Sequence, residues 1–411
     1  MAGGGQRPHP VVASRGALGA ERRVCHHDFM NSPKLFSPLQ LRELKLRNRI
    51  AMPPMCQYSA IDGMAGDWHL VHYGSRAAQG LGLMIVEATA IEPRGRISPH
   101  DLGLWKDEQI EPLRKVVAFV KAQGPAIGVQ LAHAGRKASG ARPWEGGAQL
   151  SPSQGGWECV APSAIPFKEG ELSPRALSKA ELGDIVGAFV AAARRALSAG
   201  FDLVEIHAAH GYLLHQFLSP LSNRRDDEYG GSFANRSRLL LEVVDAVRKV
   251  WPADKPLFVR LSATDWAAGG WDVPECVALS GILKERGVDL IDASSAGLIA
   301  TQKVIVGPGY QVPFAQAIRA GAGLPTAAVG LITEAAQAEA ILEEGKADLV
   351  LLGRELLRNP GWPAQALREL GAESFDGRPS EGGSSTRSAA STGYGRGLAP
   401  QYLRSLREMP R

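Results

Sequence analysis

Eight short, nearly continuous apolar runs recur along this 411-residue chain, each followed by a longer stretch of helical periodicity. The runs are RIAMPPM (49–55), LGLMIVEAT (81–89), AIGVQLA (126–132), LVEIHAA (203–209), PLFVRLS (256–262), LIDASSA (290–296), PTAAVG (325–330) and DLVLLGR (348–354). A strand apolar on both faces must be buried on both, as in a parallel sheet covered by helices. Two intervening stretches show their helical character most clearly. From Ser178 to Leu197, Ser178 is the N-cap, Glu181 its capping-box partner, and Gly200 the stop. Leu182, Ile185, Val186, Phe189 and Leu197 share one face of that helix. From Ser232 to Trp251 the pattern returns with Leu239, Leu240, Val243, Val244 and Val247, and Pro252 prevents continuation. Eight strand–helix units in series predict an α/β fold, the TIM (β/α)8 barrel. An open doubly wound sheet would place GxGxxG after its first strand, and that turn is absent.

The pattern assigns residues 34–373 to a single barrel domain, with extensions at 1–33 and 374–411. Residues 1–30 are rich in Gly, Arg and His and lack the apolar core of a secretory signal. A disordered tail, a later start at Met30 and a targeting segment all remain open for them. Residues 374–395, SFDGRPSEGGSSTRSAASTGYG, are of low complexity and are expected to be disordered. A net charge of +4 with scattered Lys and Arg gives no reason to expect a nucleic-acid partner. No apolar run approaches the roughly 18 residues of a membrane span. Cys25, Cys56, Cys159 and Cys276 show no paired spacing. That argues against a disulfide framework, a zinc ribbon or an iron–sulfur cluster, and favours a reducing, cytoplasmic setting. The connection from Gly135 to Leu177 far exceeds the usual loop length and reads as a partial lid.

Barrel active sites lie at the C-terminal ends of the strands. The polar residues there are Cys56 and Tyr58 on the first, Gln130 on the third, His207, His210 and Tyr212 on the fourth, and Arg260 on the fifth. The seventh and eighth end at Gly330 and Gly353–Arg354, where bare backbone and a guanidinium suit a phosphate. Singly, each has an ordinary reading: a turn glycine, a hydrogen-bonded core histidine, a cysteine acting as a small hydrophobe. Their shared position at one end is what favours function.

The stretch EIHAAHGYLLHQFLSPLSNRRDDEYGGSFANRSR (205–238) resembles the old yellow enzyme family of flavin-dependent ene-reductases. That family carries H-x-[AG]-[HN]-G-Y-L followed by D-x-Y-G-G-S and N-R. The likeness extends over about residues 34–372. MPPMCQYSA, QLAHAGRKA and a His–His pair in place of His–Asn are similar to the thermophilic-like branch. The resemblance implies FMN as cofactor, NADPH or NADH as reductant, and an enone-type small molecule as substrate. It places Pro54, Met55, Cys56, Ala88 and Gln130 along the flavin ring, with Arg260 by its N1 and C2 carbonyl. It assigns the FMN phosphate to Gly330, Gly353 and Arg354, the substrate carbonyl to His207 and His210, proton donation to Tyr212, and a clamping role to Tyr58.

Elementary chemistry agrees. Hydride addition at Cβ of an enone builds negative charge on the carbonyl oxygen, which two imidazole N–H donors can stabilise. A phenol of ordinary pKa about 10 arrives neutral and can protonate Cα. A metal centre on the histidines would need further ligands, such as an HxH after the first strand, where AMPPMCQY stands. A nucleophilic Cys56 would need a base that the sequence does not offer. Related flavin barrels with a clustered-cysteine domain are disfavoured by cysteine count, and a silent barrel by the intact motif. Trp362 reads equally as a packing aromatic or as a contact to a neighbouring subunit. Arg404, in LAPQYLR (398–404), is a candidate for reaching a partner's site, which goes with an expected homo-oligomer. The Asp226–Asp227–Glu228 run is expected to cap a turn and to meet nearby arginines.

Overall fold

The computed structural model describes residues 1–4 and 33–371, and the barrel belongs to the compact unit that begins at Ser32. The expectations for the two extensions, including Cys25, Met30 and Arg404, lie outside the described residues. Eight strands form a closed barrel. They are β1 (Ile50–Met52), β2 (Leu83–Ala90), β3 (Ala126–Ala132), β4 (Leu203–Ala208), β5 (Leu257–Ser262), β6 (Leu290–Ser294), β7 (Thr326–Ala328) and β8 (Leu349–Leu351). Every neighbouring pair is parallel, and β8 closes on β1. The principal helices follow in alternation: α1 (Asp67–Ala77), α2 (Ile110–Ala122), α3 (Lys179–Ala199), α4 (Phe233–Val250), α5 (Val273–Glu285), α6 (Val312–Ala322), α7 (Ala335–Glu343) and α8 (Trp362–Glu369).

Each of the eight expected strands is present at its apolar run, β2 extending one residue past it to Ala90. The two expected helices start at their caps. Ser178 Oγ accepts from Glu181 N, while the Glu181 carboxylate accepts from Ser178 N at 3.0 Å. Ser232 caps α4 through Asn235 N, and its expected apolar face is fully buried. In α3, Leu182, Ile185 and Phe189 are buried, whereas Val186 and Leu197 are only half-buried, because alanines take up much of that contact.

Side chains alternate across each strand, and the two faces meet different cores. One set, including Met84, Val129, Ile206, Val259 and Ile291, packs outward on the helices. The other, including Leu83, Leu203, Phe258, Leu290 and Leu349, fills the barrel interior. Leu41 and Leu46, from a hairpin of Leu39–Leu41 with Leu44–Leu46, join that interior cluster. Two residues further along β3, β4, β5 and β6 the inward positions turn polar: Gln130, Glu205, Arg260 and Asp292 are all buried. An apolar plug therefore supports a polar tier, and the rim lies above it. In β2 the register slips between Val86 and Ala88, a bulge that re-aims Glu87.

The expected lid, from Gly135 to Leu177, contains three short 3-10 turns and one two-residue strand pair, Val160–Ala161 with Arg175–Ala176. Arg94 and Arg175 both reach Glu181 at the start of α3, fixing the end of the lid. The acidic run meets arginines as expected: Asp227 pairs with Arg225, and Glu228 accepts from Arg238 Nε at its carbonyl at 2.7 Å while its carboxylate pairs with Lys179. Trp362 is buried and donates its indole N–H to Thr333 O at 2.7 Å, a packing role within the chain. Among the described residues no helix is long and apolar enough to cross a membrane.

Phe189 is wholly buried at the centre of the α3 face. Phe189→Ala should lower unfolding stability by about 3–5 kcal/mol, read by urea denaturation with an unchanged slope. A loss under about 1 kcal/mol would show that the cavity collapses and that this face is not a tightly packed one.

Candidate active site

The polar tier forms the floor. Gln130 Nε2 donates to Glu205 Oε1 at 2.7 Å, and Arg260 Nε lies 3.1 Å from Asp292 Oδ2. That contact is an ion pair without hydrogen-bond alignment, and Glu205 Oε2 and both Asp292 oxygens lack hydrogen-bond partners among the described residues. Burial raises both carboxyls, Asp292 raises Glu205 further, and Arg260 opposes both shifts. One cation thus faces two buried acids.

Above the floor, the end of β4 presents His207, His210 and Tyr212. Ala209 N donates to His207 Nδ1 at 3.2 Å, which leaves the proton of a neutral ring on Nε2. His207 Nε2 lies 3.4 Å from His210 Nδ1, and His210 Nε2 lies 2.7 Å from Ser294 Oγ. Burial, then the charge of Arg260, push both imidazoles well below the usual histidine range, so both are neutral. The Tyr212 ring stands edge-on to His207 with centroids 4.9 Å apart. Burial also pushes its phenol well above the usual range.

The turn carrying these groups is unusual backbone. His210 has φ +57° and Gly211 φ +71°. A Cβ on Gly211 would sit 2.1 Å from Gly297 O, so only glycine fits there. Gly211 N donates to His215 Nδ1 at 2.9 Å, and His215 Nε2 lies 2.9 Å from Asp265 Oδ1. Burial alone would raise Asp265, but His215, Ser219 and Trp271 N more than offset it, holding the group ionised. A buried His–Asp pair thereby pins the turn from behind.

Cys56 and Tyr58 form the opposite wall. The bulge aims Glu87 at them: its Oε2 accepts from Gln57 N at 2.7 Å, and its Oε1 from the Tyr73 hydroxyl at 3.1 Å. Burial pushes Glu87 up to about 8, against the pull of Gln57 N–H. Burial, then Asp101 and Glu87, raise the Cys56 thiol well above its usual range, while Ala88 N–H opposes them. Cys56 is therefore a neutral thiol and not an activated nucleophile. Tyr58 meets Trp144 of the lid edge-on at 5.8 Å.

Beside this rim lies a cavity of about 250 Å³ whose wall includes Pro54, Met55, Arg260, Gly330, Gly353 and Arg354. Ala88 and Gln130 are buried next to Cys56 and Glu205 and are not part of that wall. Gly330 has φ +125°, and a Cβ there would stand 3.0 Å from the Tyr310 ring. The short helix Gly353–Arg358 leaves its first backbone N–H groups without helical partners. Arg354 is exposed and forms no ion pair among the described residues. These donors fit an FMN phosphate, with Arg260 at the inner end for an electron-rich ring edge. Among the described residues no cluster of His, Cys, Asp and Glu could hold a metal.

The rim residues stood out in the sequence, whereas Glu87, Glu205, Asp292, Ser294 and Lys137 did not. The first three are acids inside otherwise apolar strands, and Glu205 and Asp292 lie two residues before His207 and Ser294. That period of two was the available signal. The Glu87 wall is testable in isolation. Glu87→Gln should lower the Cys56 thiol pKa and speed its alkylation by iodoacetamide near pH ~9, about tenfold per pKa unit. Peptide mass mapping reads the site, and an unchanged rate would show that Glu87 does not govern the thiol.

Comparison with known proteins agrees with this geometry. Residues 34–373 match the NADH:flavin oxidoreductase / NADH oxidase family. NADPH dehydrogenase of Geobacillus thermodenitrificans is 54% identical over 341 residues, covering 82% of this chain and 95% of that protein. NADPH dehydrogenase of Listeria innocua is 50% identical over 340 residues, covering 82% and 95%. The structure of morphinone reductase superposes with a TM-score of 0.70 at 34% identity, covering 86% of this chain and 95% of that one. Another structure of that enzyme, in complex with tetrahydroNAD, gives 0.69 at 33% identity, covering 82% and 91%. The chain belongs to the NADH:flavin oxidoreductase / NADH oxidase family, the old yellow enzymes, and is an FMN-dependent oxidoreductase using NAD(P)H.

Proposed function

We propose that the chain reduces the C=C bond of α,β-unsaturated carbonyl compounds, the nicotinamide and the alkene reacting in turn at one site. FMN, held as described above, would supply the redox chemistry between NADPH or NADH and the alkene. One observation carries the reading: two neutral imidazoles and one neutral phenol converge on the rim beside a cavity that ends at Arg260.

Pro54, Met55 and Arg260 would hold the ring, with Gly330, Gly353 and Arg354 on the phosphate. A carbonyl oxygen gaining negative charge needs donors already in place. His207 offers Nε2–H, because Nδ1 is occupied by Ala209 N–H. With the His210 proton on Nδ1, the Ser294 hydroxyl donates to His210 Nε2 at 2.7 Å in place of its longer 3.4 Å contact with Gln311 Oε1. Two N–H groups 3.4 Å apart at their nitrogens then face one acceptor. Because both rings are neutral, they stabilise the oxygen without surrendering a proton to it. Tyr212, kept protonated by burial, gives its proton to Cα. Cys56 and Tyr58 bound the far side, where Trp144 stands edge-on to Tyr58.

The protein should be yellow when purified, bleach anaerobically with NADPH, and recover its colour with 2-cyclohexenone. Tyr212→Phe should slow recovery by about 10²–10⁴-fold while leaving the bleaching rate within a few-fold. A protein that takes up no FMN, or bleaches but never recovers with any enone, contradicts the reading. Neutral histidines also predict no ionisation limb in colour recovery between about pH 5.5 and 7. A limb in that window, removed by His207→Ala or His210→Ala, would mean a charged imidazole takes part.

A further inference from the structure

On the lid side of Tyr58 lies a second cavity, of about 350 Å³. Its wall carries Arg136, Lys137 and Lys168 against a single carboxylate, Glu171. Among the described residues none of the three cations forms an ion pair. Arg136 donates to Ile165 O at 3.2 Å and Leu298 O at 2.6 Å, while its buried Nε has no hydrogen-bond partner. Lys137 Nζ donates to His210 O at 2.8 Å and Gly297 O at 2.9 Å. Carbonyl oxygens satisfy N–H groups but do not cancel charge, so the cavity keeps a positive field.

The aromatic frame fits the same reading. Lys137, Lys168 and Arg136 stand 4.6, 5.8 and 6.0 Å from the centroid of the Phe167 ring. A ring face eases the crowding of like charges only in part. Burial, followed by the like charges of Arg136 and Lys168, lowers Lys137 to about 8 against the pull of Glu171. The cavity also adjoins the reaction rim: Tyr58 lines it, and Lys137 Nζ lies 5.1 Å from the Tyr212 ring centroid.

We infer that this cavity is an anion subsite of the active site, taking a phosphate or carboxylate on a molecule whose reactive end lies at Tyr212. The inference rests on the reductase reading and adds a charge preference to it. The anion has two possible sources: a phosphate of the nicotinamide nucleotide, or a carboxylate on the alkene. Lys168 is exposed and its side chain forms no hydrogen bond or ion pair among the described residues, so its charge can be reversed without unpicking the lid.

The test compares wild type, Lys168→Gln and Lys168→Glu in the FMN-loaded protein at low ionic strength. Calorimetry gives Kd for NADPH and NADH, and steady-state kinetics give KM for 2-cyclohexenone and for a carboxylate-bearing cyclohexenone. Charge reversal should weaken at least one anionic ligand about tenfold, neutralisation less, with the neutral enone unchanged. A selective loss for the nucleotides assigns the subsite to their phosphates; a selective loss for the charged enone assigns it to the alkene. Equal shifts for neutral and anionic ligands, or no shift in either, overturn the inference. Nucleotide affinity needs no turnover. A protein that binds NADPH through this charge yet never reduces an enone would therefore defeat the reductase reading and leave the subsite standing.

Discussion

The structure depends on the alternation of side chains across eight parallel strands. Because outward residues satisfy the helices, inward residues are free to change character along the strand axis. Leu203, Phe258 and Leu290 make the lower interior apolar; Glu205, Arg260 and Asp292, two residues on, make the next tier polar. The apolar plug gives that tier rigid support and excludes water from below. Charges placed on it act through a low dielectric toward the rim, where they count for more than in water.

Neutrality of the rim follows from the same arrangement. His207 and His210 lose their charged forms to burial first and to Arg260 second, and Tyr212 keeps its proton because burial penalises the phenolate. Cys56 is held as a thiol by burial with Asp101 and Glu87 behind it. The site is therefore built from uncharged donors, with the charge kept in the floor and in the lid. His215 and Asp265 fix the backbone turn that aims the donors. Lys137 ties the lid to that turn through His210 O and Gly297 O.

Much of this was legible in the sequence. Continuous apolar runs located all eight strands, since burial on both faces leaves few other solutions. Capping residues located α3 and α4, and polar interruptions at strand ends located His207, His210, Tyr212 and Arg260. What was hidden depends on three-dimensional pairing. Glu87 looks like one more residue of a buried strand until the bulge turns it toward Gln57 N. Asp292 gains meaning only beside Arg260, from another strand, and Lys137 only beneath Tyr212. Ala88 and Gln130, assigned by resemblance to the flavin ring, are buried on β2 and β3, and like Cys56 they do not line the 250 Å³ cavity.

The central claim is that Tyr212 delivers the proton while the histidines hold the carbonyl oxygen. Reduction of 2-methylcyclohexenone by NADPH deuterated at C4, followed by NMR of the product, tests it directly. The account predicts deuterium at Cβ and the new proton at Cα on opposite faces, with that selectivity lost in Tyr212→Phe. Proton and deuterium on the same face, or full selectivity retained without the phenol, would contradict it.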